Sequence, residues 1–226
     1  MKKNKQDTVI IVFLKAPVKG FVKTRLAEKI GDDAALEMYK HFVRHTLGML
    51  SQTDYTVYVY VYPVHDKESL LGLLRDGTPV FPQEGRHLGE RMKNAMDDAF
   101  SEGFDKALLV GTDIPDLKTE IINDAVDSLN EYQAVIGPST DGGYYLIGFH
   151  SRGFLPDIFT GMPWGTSRVL KKTMAVFKSK NMDVFMLNPC RDIDTYDDLH
   201  AFLIEETTKK DRYREILKKI NPGGAR

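Results

Sequence analysis

Seven consecutive residues, Thr8 to Leu14 (TVIIVFL), are uncharged and almost all apolar or β-branched. A strand that shows one face to water alternates polar and apolar residues, whereas an unbroken run must be covered on both faces. The chain is therefore expected to sandwich a sheet between two layers of helix. Later segments suit this demand. Tyr55–Tyr62 alternates tyrosine with valine, and Thr78–Pro82, Lys106–Gly111, Ala134–Ile136, Tyr144–Phe149 and Asp183–Leu187 read as further strands. Helical patterns lie between them. One runs from Asp32 or Asp33 to about Leu50, with Ala35, Met38, Phe42, His45 and Met49 on one face; others cover residues 66–75, Leu88–Phe100, Thr119–Asn130 and Arg168–Lys178, and Thr195 opens a last one. Alternation of this kind gives a mostly parallel sheet with right-handed crossovers. The expected fold class is α/β, a three-layer α/β/α domain spanning all 226 residues with its core at about 8–204. The tail from Asn221 is expected to be disordered.

Composition removes several function classes. Lys plus Arg number 31 against 32 Asp plus Glu, so no basic field marks a nucleic-acid partner. The lone Cys190 excludes an intramolecular disulfide and a cysteine zinc cluster, and fits a reducing cytoplasm. Val9–Leu14 meets Lys15 too soon for a secretory core or a membrane span. His41 and His45 lie in HFVRH, which lacks the glutamate of a zinc-protease helix.

The chemistry concentrates where strands end. In LLVGTDIPDL (Leu108–Leu117) an apolar strand breaks at Gly111 and delivers Thr112 and Asp113, with Asp116 beyond Pro115. Open α/β sheets keep ligands at the carboxyl ends of their strands. Hard cations take carboxylate and phosphate oxygens. By itself, an Asp between Gly and Pro reads more readily as a turn. After the first strand comes KAPVKGFVKTRL, where Lys15, Lys19, Lys23 and Arg25 surround Gly20. This loop suits an anion cradle and a solvated basic loop about equally. It is neither a Walker A loop nor GxGxxG. Gln83, with Gly85 beside it at a strand-to-helix turn, permits amide contacts and close approach to a flat base. Asp141, Gly142 and Gly143 form either a hairpin turn or a ligand-facing loop. Trp164, between Pro163 and Gly165, is an acceptor-facing aromatic or a packing residue. Asp192 and Asp194 precede a helix and are free to bind a cation, whereas Asp197 and Asp198 sit in its first turn and serve the dipole. Asp192-Ile193-Asp194-Thr195 spells the DxDxT string of haloacid-dehalogenase-type phosphatases, but that nucleophile follows the first strand, and this string is near the C-terminus.

Five strings in order, KAPVKGFVKTRL, QEGRHLGERM, LLVGTDIPDL, GPSTDGGYYLIG and DIDTYDDL, carry a resemblance over about Val9 to Leu199. The chain resembles the GT-A-fold nucleotide-diphospho-sugar transferase superfamily. It is similar within it to the bacterial radical-SAM/selenodomain-associated glycosyltransferase group. The resemblance implies that Lys15, Gly20, Lys23 and Arg25 wrap a nucleotide and its phosphates, with Gln83 and Gly89 near the base. It implies Mg²⁺ or Mn²⁺ on Asp113 and Asp194, and a sugar or acceptor beside Asp141–Gly143. Two features depart from the superfamily's pattern: its DxD pair is reduced to Thr112-Asp113, and the GxGxRM of sugar pyrophosphorylases is missing.

The expected activity is a metal-dependent glycosyl transfer from a nucleoside diphosphate sugar to a small-molecule acceptor. Asp113 holds the cation, Arg25 or Lys23 neutralises the leaving diphosphate, and Asp141 is the candidate base. The alternatives are nucleotidyl transfer from an NTP to a phosphorylated acceptor, and a non-catalytic nucleotide-binding module.

Overall fold

A strand as apolar as TVIIVFLK can be satisfied only inside a sheet, and that is where the chain puts it. The computed structural model describes residues 7–63, 70, 72–204 and 211–220. Seven strands form one sheet: β1 (Thr8–Lys15), β2 (Thr56–Tyr62), β3 (Val80–Pro82), β4 (Lys106–Val110), β5 (Ala134–Pro138), β6 (Tyr144–His150) and β7 (Val184–Met186). Their spatial order is β3-β2-β1-β4-β6-β5-β7. β1 is paired on both edges, with β2 and with β4, both parallel. β6 runs antiparallel to β4 and to β5, and β7 pairs parallel with β5. The sheet is thus mixed and mostly parallel.

Helices cover both faces: α1 (Thr24–Ile30), α2 (Asp32–Leu50), α3 (Leu88–Ser101), α4 (Thr119–Ser128), α5 (Val169–Ser179), α6 (Tyr196–Ile204) and α7 (Asp211–Ile220). Successive residues of a strand point to opposite faces, and β1 divides accordingly. Ile10, Val12 and Leu14 join Tyr39 and Val43 of α2 and Ile122 and Ala125 of α4 in one core. Val9, Ile11 and Phe13 join Met92 and Met96 of α3 and Phe177 of α5 in the other. A satellite core, with Leu26, Phe42, Leu199, Phe202 and Tyr213, binds α1, α2, α6 and α7 together. The three-layer α/β/α arrangement expected above is the observed one.

Two helices were not anticipated. Pro17 and Gly20 disguise α1, which starts abruptly at Thr24 after Lys23 adopts a left-handed conformation (φ 50°, ψ 40°). α7 follows six residues for which nothing is described, and it is anchored through buried Tyr213, whose hydroxyl donates to the carbonyl of Pro115. Most of the helix expected at residues 66–75, and the tail from Asn221, lie outside the described residues.

β6 is sandwiched so tightly that it requires a glycine. A Cβ on Gly148 would collide with Leu108 and stand 2.9 Å from Val135 Cγ1 and 3.1 Å from the Ala107 carbonyl. Overpacking of this sort costs about 1–3 kcal/mol. Gly148→Ala is expected to lower unfolding free energy by that amount in urea titration, and an unchanged midpoint would contradict this packing.

Candidate functional site

Because β1, β2, β3 and β4 are parallel, their carboxyl ends share one edge of the sheet. β6 enters antiparallel, so its start lies on that edge as well, with Val110 opposite Leu146. The loops after β1 and β4, the turn between β5 and β6, and the segment after β7 therefore meet there.

Asp113 stands three residues past β4. Its backbone carbonyl accepts from the amide of Ile193 (3.1 Å), which pins the Asp192–Asp194 loop to the end of β4. Two carboxylates then converge on one ammonium. Lys23 Nζ lies 2.6 Å from Asp113 Oδ1 and 2.7 Å from Asp194 Oδ1. The Lys23 side chain is 3% exposed, whereas those of Asp113 and Asp194 are 47% and 43% exposed. The lysine is thus buried behind a carboxylate pair that still faces solvent. Its ammonium also sits 5.6 Å from the centre of the Phe42 ring.

Electrostatics follow from this geometry. Burial pulls the Lys23 pKa down, but Asp113 and Asp194 more than offset it, and the ammonium is held above its ordinary value. Burial pushes Asp194 up, but Lys23, with Lys15 and Arg25 further off, holds its carboxyl below the usual range. Asp192 has no such cation. Burial first, then the charges of Asp141, Asp194 and Asp113, push it up to about 6. Asp192 therefore senses three other carboxylates at this edge. Among the described residues, no three His, Cys, Asp or Glu side chains converge as a metal cage. The donors fit a hard dication that takes two carboxylates and completes its shell from phosphate and water.

The first loop is braced from α2. Tyr39 Oη accepts from the Lys15 amide (2.8 Å) and donates to the Lys15 carbonyl (2.9 Å). Thr112, buried beside Asp113, also hydrogen-bonds to this hydroxyl. Tyr39 therefore ties the end of β1 to the end of β4. Lys15 and Arg25 remain exposed at the rim, and Gly20 turns the loop at φ 77°. Lys19 points elsewhere, pairing with Asp33 at the start of α2.

The remaining candidates take structural positions. Gln83 Nε2 donates to the carbonyls of Leu14 (3.0 Å) and Tyr60 (2.9 Å), so its amide protons cap the ends of β1 and β2. Gly89 is buried in α3, and a Cβ there would lie 2.7 Å from Trp164 Nε1. The Trp164 indole packs edge-on to Tyr144 (6.2 Å between centres), with its N–H buried. Gly89 and Trp164 thus bring α3 against the loop before α5. Asp141 Oδ1 accepts from the Gly143 amide (2.7 Å) and from the Ser139 hydroxyl, which closes the turn. Gly142, at φ 91°, leaves no room for a Cβ against the Ser167 backbone. Its carbonyl accepts from the Leu170 amide (2.9 Å), which fastens the turn to α5.

Two participants, Tyr39 and Tyr62, carry no such signal in the sequence. Tyr39 is invisible there because its target, the backbone of Lys15, lies 24 residues away. Asp192 was singled out with Asp194 as free to bind a cation, but only Asp194 was assigned to the metal. Tyr62, 41% exposed at the end of β2, carries the Arg91 guanidinium 3.5 Å over its ring, making a flat platform next to Gln83.

Comparison with known proteins adds to this picture. Residues 46–166 match a family described as uncharacterized proteins conserved in bacteria (DUF2064). A solved protein from Desulfovibrio desulfuricans G20, assigned as a nucleotide-diphospho-sugar transferase, is 36% identical, with 96% of each chain covered and a TM-score of 0.89. The fold is accordingly that of the nucleotide-diphospho-sugar transferase superfamily. A 2-phospho-L-lactate guanylyltransferase from Methanocaldococcus vulcanius is 24% identical over 94% of this chain and 91% of its own length. The 4-diphosphocytidyl-2C-methyl-D-erythritol synthase of Anaerococcus prevotii shares the fold at 10% identity, covering 88% and 97% of the two chains with a TM-score of 0.58.

The late loop owes its shape to a reciprocal cap. Asp198 Oδ2 accepts from the Thr195 amide (2.8 Å), the Thr195 hydroxyl (2.6 Å) and the Asp194 amide (3.2 Å), while the Asp198 amide donates back to Thr195 Oγ1 (3.2 Å). Asp198→Ala is expected to lower stability by about 1 kcal/mol in thermal unfolding. Asp197→Ala, at an exposed neighbouring position, is expected to stay within about 0.5 kcal/mol. Equal effects from the two would remove the cap from this account.

Proposed function

The chain belongs to the DUF2064 family of uncharacterized bacterial proteins, and we propose that it is a nucleotidyltransferase, joining an NTP to a small phosphorylated acceptor with release of pyrophosphate. The observation that carries the reading is the convergence of the first loop's Lys23 on Asp113 and Asp194 at the carboxyl edge of the sheet. Such a site handles a triphosphate: cations for the leaving pyrophosphate and two carboxylates for a dication. The relationship to a guanylyltransferase along nearly the whole chain supports the same chemistry. We also read the chain as a single domain built on this one sheet.

This reverses the order of the sequence expectations, which put glycosyl transfer first. A sugar or alcohol acceptor needs a base to take its proton, and Asp141, the candidate, spends Oδ1 on its own turn. A phosphate acceptor needs none, because a phosphate monoester is largely doubly ionised at neutral pH. Its oxygen attacks the α-phosphorus directly. A new P–O bond forms there, the bond to the bridging oxygen breaks, and pyrophosphate departs with the electron pair.

Asp113 and Asp194 would hold Mg²⁺ or Mn²⁺, which when bound supplies charge neutralisation to the triphosphate. Lys15 at the end of β1, Lys23 in the first loop and Arg25 at the start of α1 meet the same charge. Gln83 and Tyr39 keep the ends of β1, β2 and β4 in place beneath it. The Tyr62–Arg91 platform offers a base a stacking surface. An acceptor would lie over Asp141–Gly143, with Trp164 packed behind.

The test is a pyrophosphate-release assay with each of the four NTPs, Mg²⁺ and a panel of phosphorylated small acids and sugars. One combination is expected to release pyrophosphate. Asp113→Asn and Asp194→Asn are each expected to cut the rate by about 10²-fold or more, the loss of roughly 3 kcal/mol of charge stabilisation. Nucleoside diphosphate release from nucleotide sugars, without pyrophosphate from any NTP, would return the assignment to glycosyl transfer.

A further inference from the structure

Lys23 occupies an unusual position for its residue type. Its backbone sits in the left-handed region, at φ 50° and ψ 40°, which disfavours any residue with a Cβ. Its long polar side chain is buried against Phe42. The two ion pairs at its end account for the buried ammonium, and strain held at such a point goes with function. The carboxylates it joins are nearly half exposed, so a cation can reach them from solvent while the ammonium stays behind. Asp113 and Asp194 each give Oδ1 to this one nitrogen. A dication on the same oxygens would face a positive charge at contact distance.

We propose that Lys23 is the resident cation of this site: in the nucleotide-free protein its ammonium fills the position between Asp113 and Asp194, and a triphosphate draws it off, so that metal and nucleotide bind with positive coupling. The inference rests on the proposed metal-carboxylate pair and adds a role for Lys23 that phosphate binding alone does not include. The phosphate offers the ammonium new anionic partners, the freed carboxylates take the dication, and the negative charge of the phosphate separates the two cations. Coupling of this sort is reciprocal: metal raises nucleotide affinity by the factor by which nucleotide raises metal affinity. Gly20, with open space around it, lies three residues before Lys23 in the segment that would have to yield.

The measurement is Mn²⁺ titration of the purified full chain, followed by the paramagnetic resonance signal of free Mn²⁺. Wild type is expected to bind Mn²⁺ weakly alone. With a non-hydrolysable NTP analogue it should bind about tenfold or more tightly, after correction for Mn²⁺ held by free analogue. Lys23→Met is expected to bind Mn²⁺ without nucleotide about tenfold more tightly than wild type, and to lose most of the enhancement. Lys23→Gly, which removes the ammonium and suits the left-handed backbone, should behave the same way and covers the case in which the methionine variant fails to fold. Lys19→Met, which alters an exposed lysine paired with Asp33, is the control and should leave Mn²⁺ affinity unchanged. If both Lys23 variants bind Mn²⁺ no better than wild type, Lys23 is not a competing cation, and the proposal falls while the metal site stands. If no form binds Mn²⁺ with or without nucleotide, the metal-carboxylate reading falls and takes this inference with it.

Discussion

The contact of one buried ammonium with two carboxylates holds the functional edge of this molecule together. Lys23, Asp113 and Asp194 come from the loops after the first and fourth strands and from the approach to a late helix; Lys23 and Asp194 alone are 171 residues apart in sequence. Without the lysine, two carboxylates would repel each other across a narrow gap. Without the carboxylates, a buried charge would be unpaired, which is among the costliest defects a fold can carry. The three therefore hold one another, and the backbone bond from Ile193 to Asp113 keeps them in register.

Beneath this contact the sheet decides what can meet. Parallel strands β1 to β4 deliver their loops to one edge, and reversal at β6 adds a tight turn to the same edge. Tyr39 and Gln83 stiffen the junctions by bonding to strand-end backbone, which side chains with polar tips can do without leaving the core. What looks like a set of flexible loops is thereby tied to the strands at several points.

Much of the fold was legible because its signals are local. The unbroken apolar run of β1 demanded two covering layers, and the alternation of strands and helices set the parallel half. α1 was hidden because Lys23 starts it from a left-handed residue, a conformation that no sequence rule assigns to lysine. The candidate site divides in the same way. Asp113 was legible as a carboxylate at a strand end and Asp194 as one ahead of a helix cap. Lys23 was legible as a cation of the first loop, but its burial between the two carboxylates was not, because only the tertiary structure brings the three loops together. Gln83 and Gly89 show the converse. The amide of Gln83 and the family resemblance at Gly89 pointed to a base, but the structure gives one to strand-end carbonyls and the other to close packing against Trp164.

The antiparallel insertion has a consequence for how such a molecule can change over time. Strands β1 to β4 are locked by pairings between distant parts of the chain, so an altered loop there disturbs the whole register. The β5–β6 pair is a hairpin with partners close in sequence, and its turn is fastened to α5 rather than to β1–β4. On the reading proposed above, the half that handles the triphosphate rests on long-range pairings and the acceptor side on a local one. What receives the nucleotide and what holds it can then be altered separately by mutation.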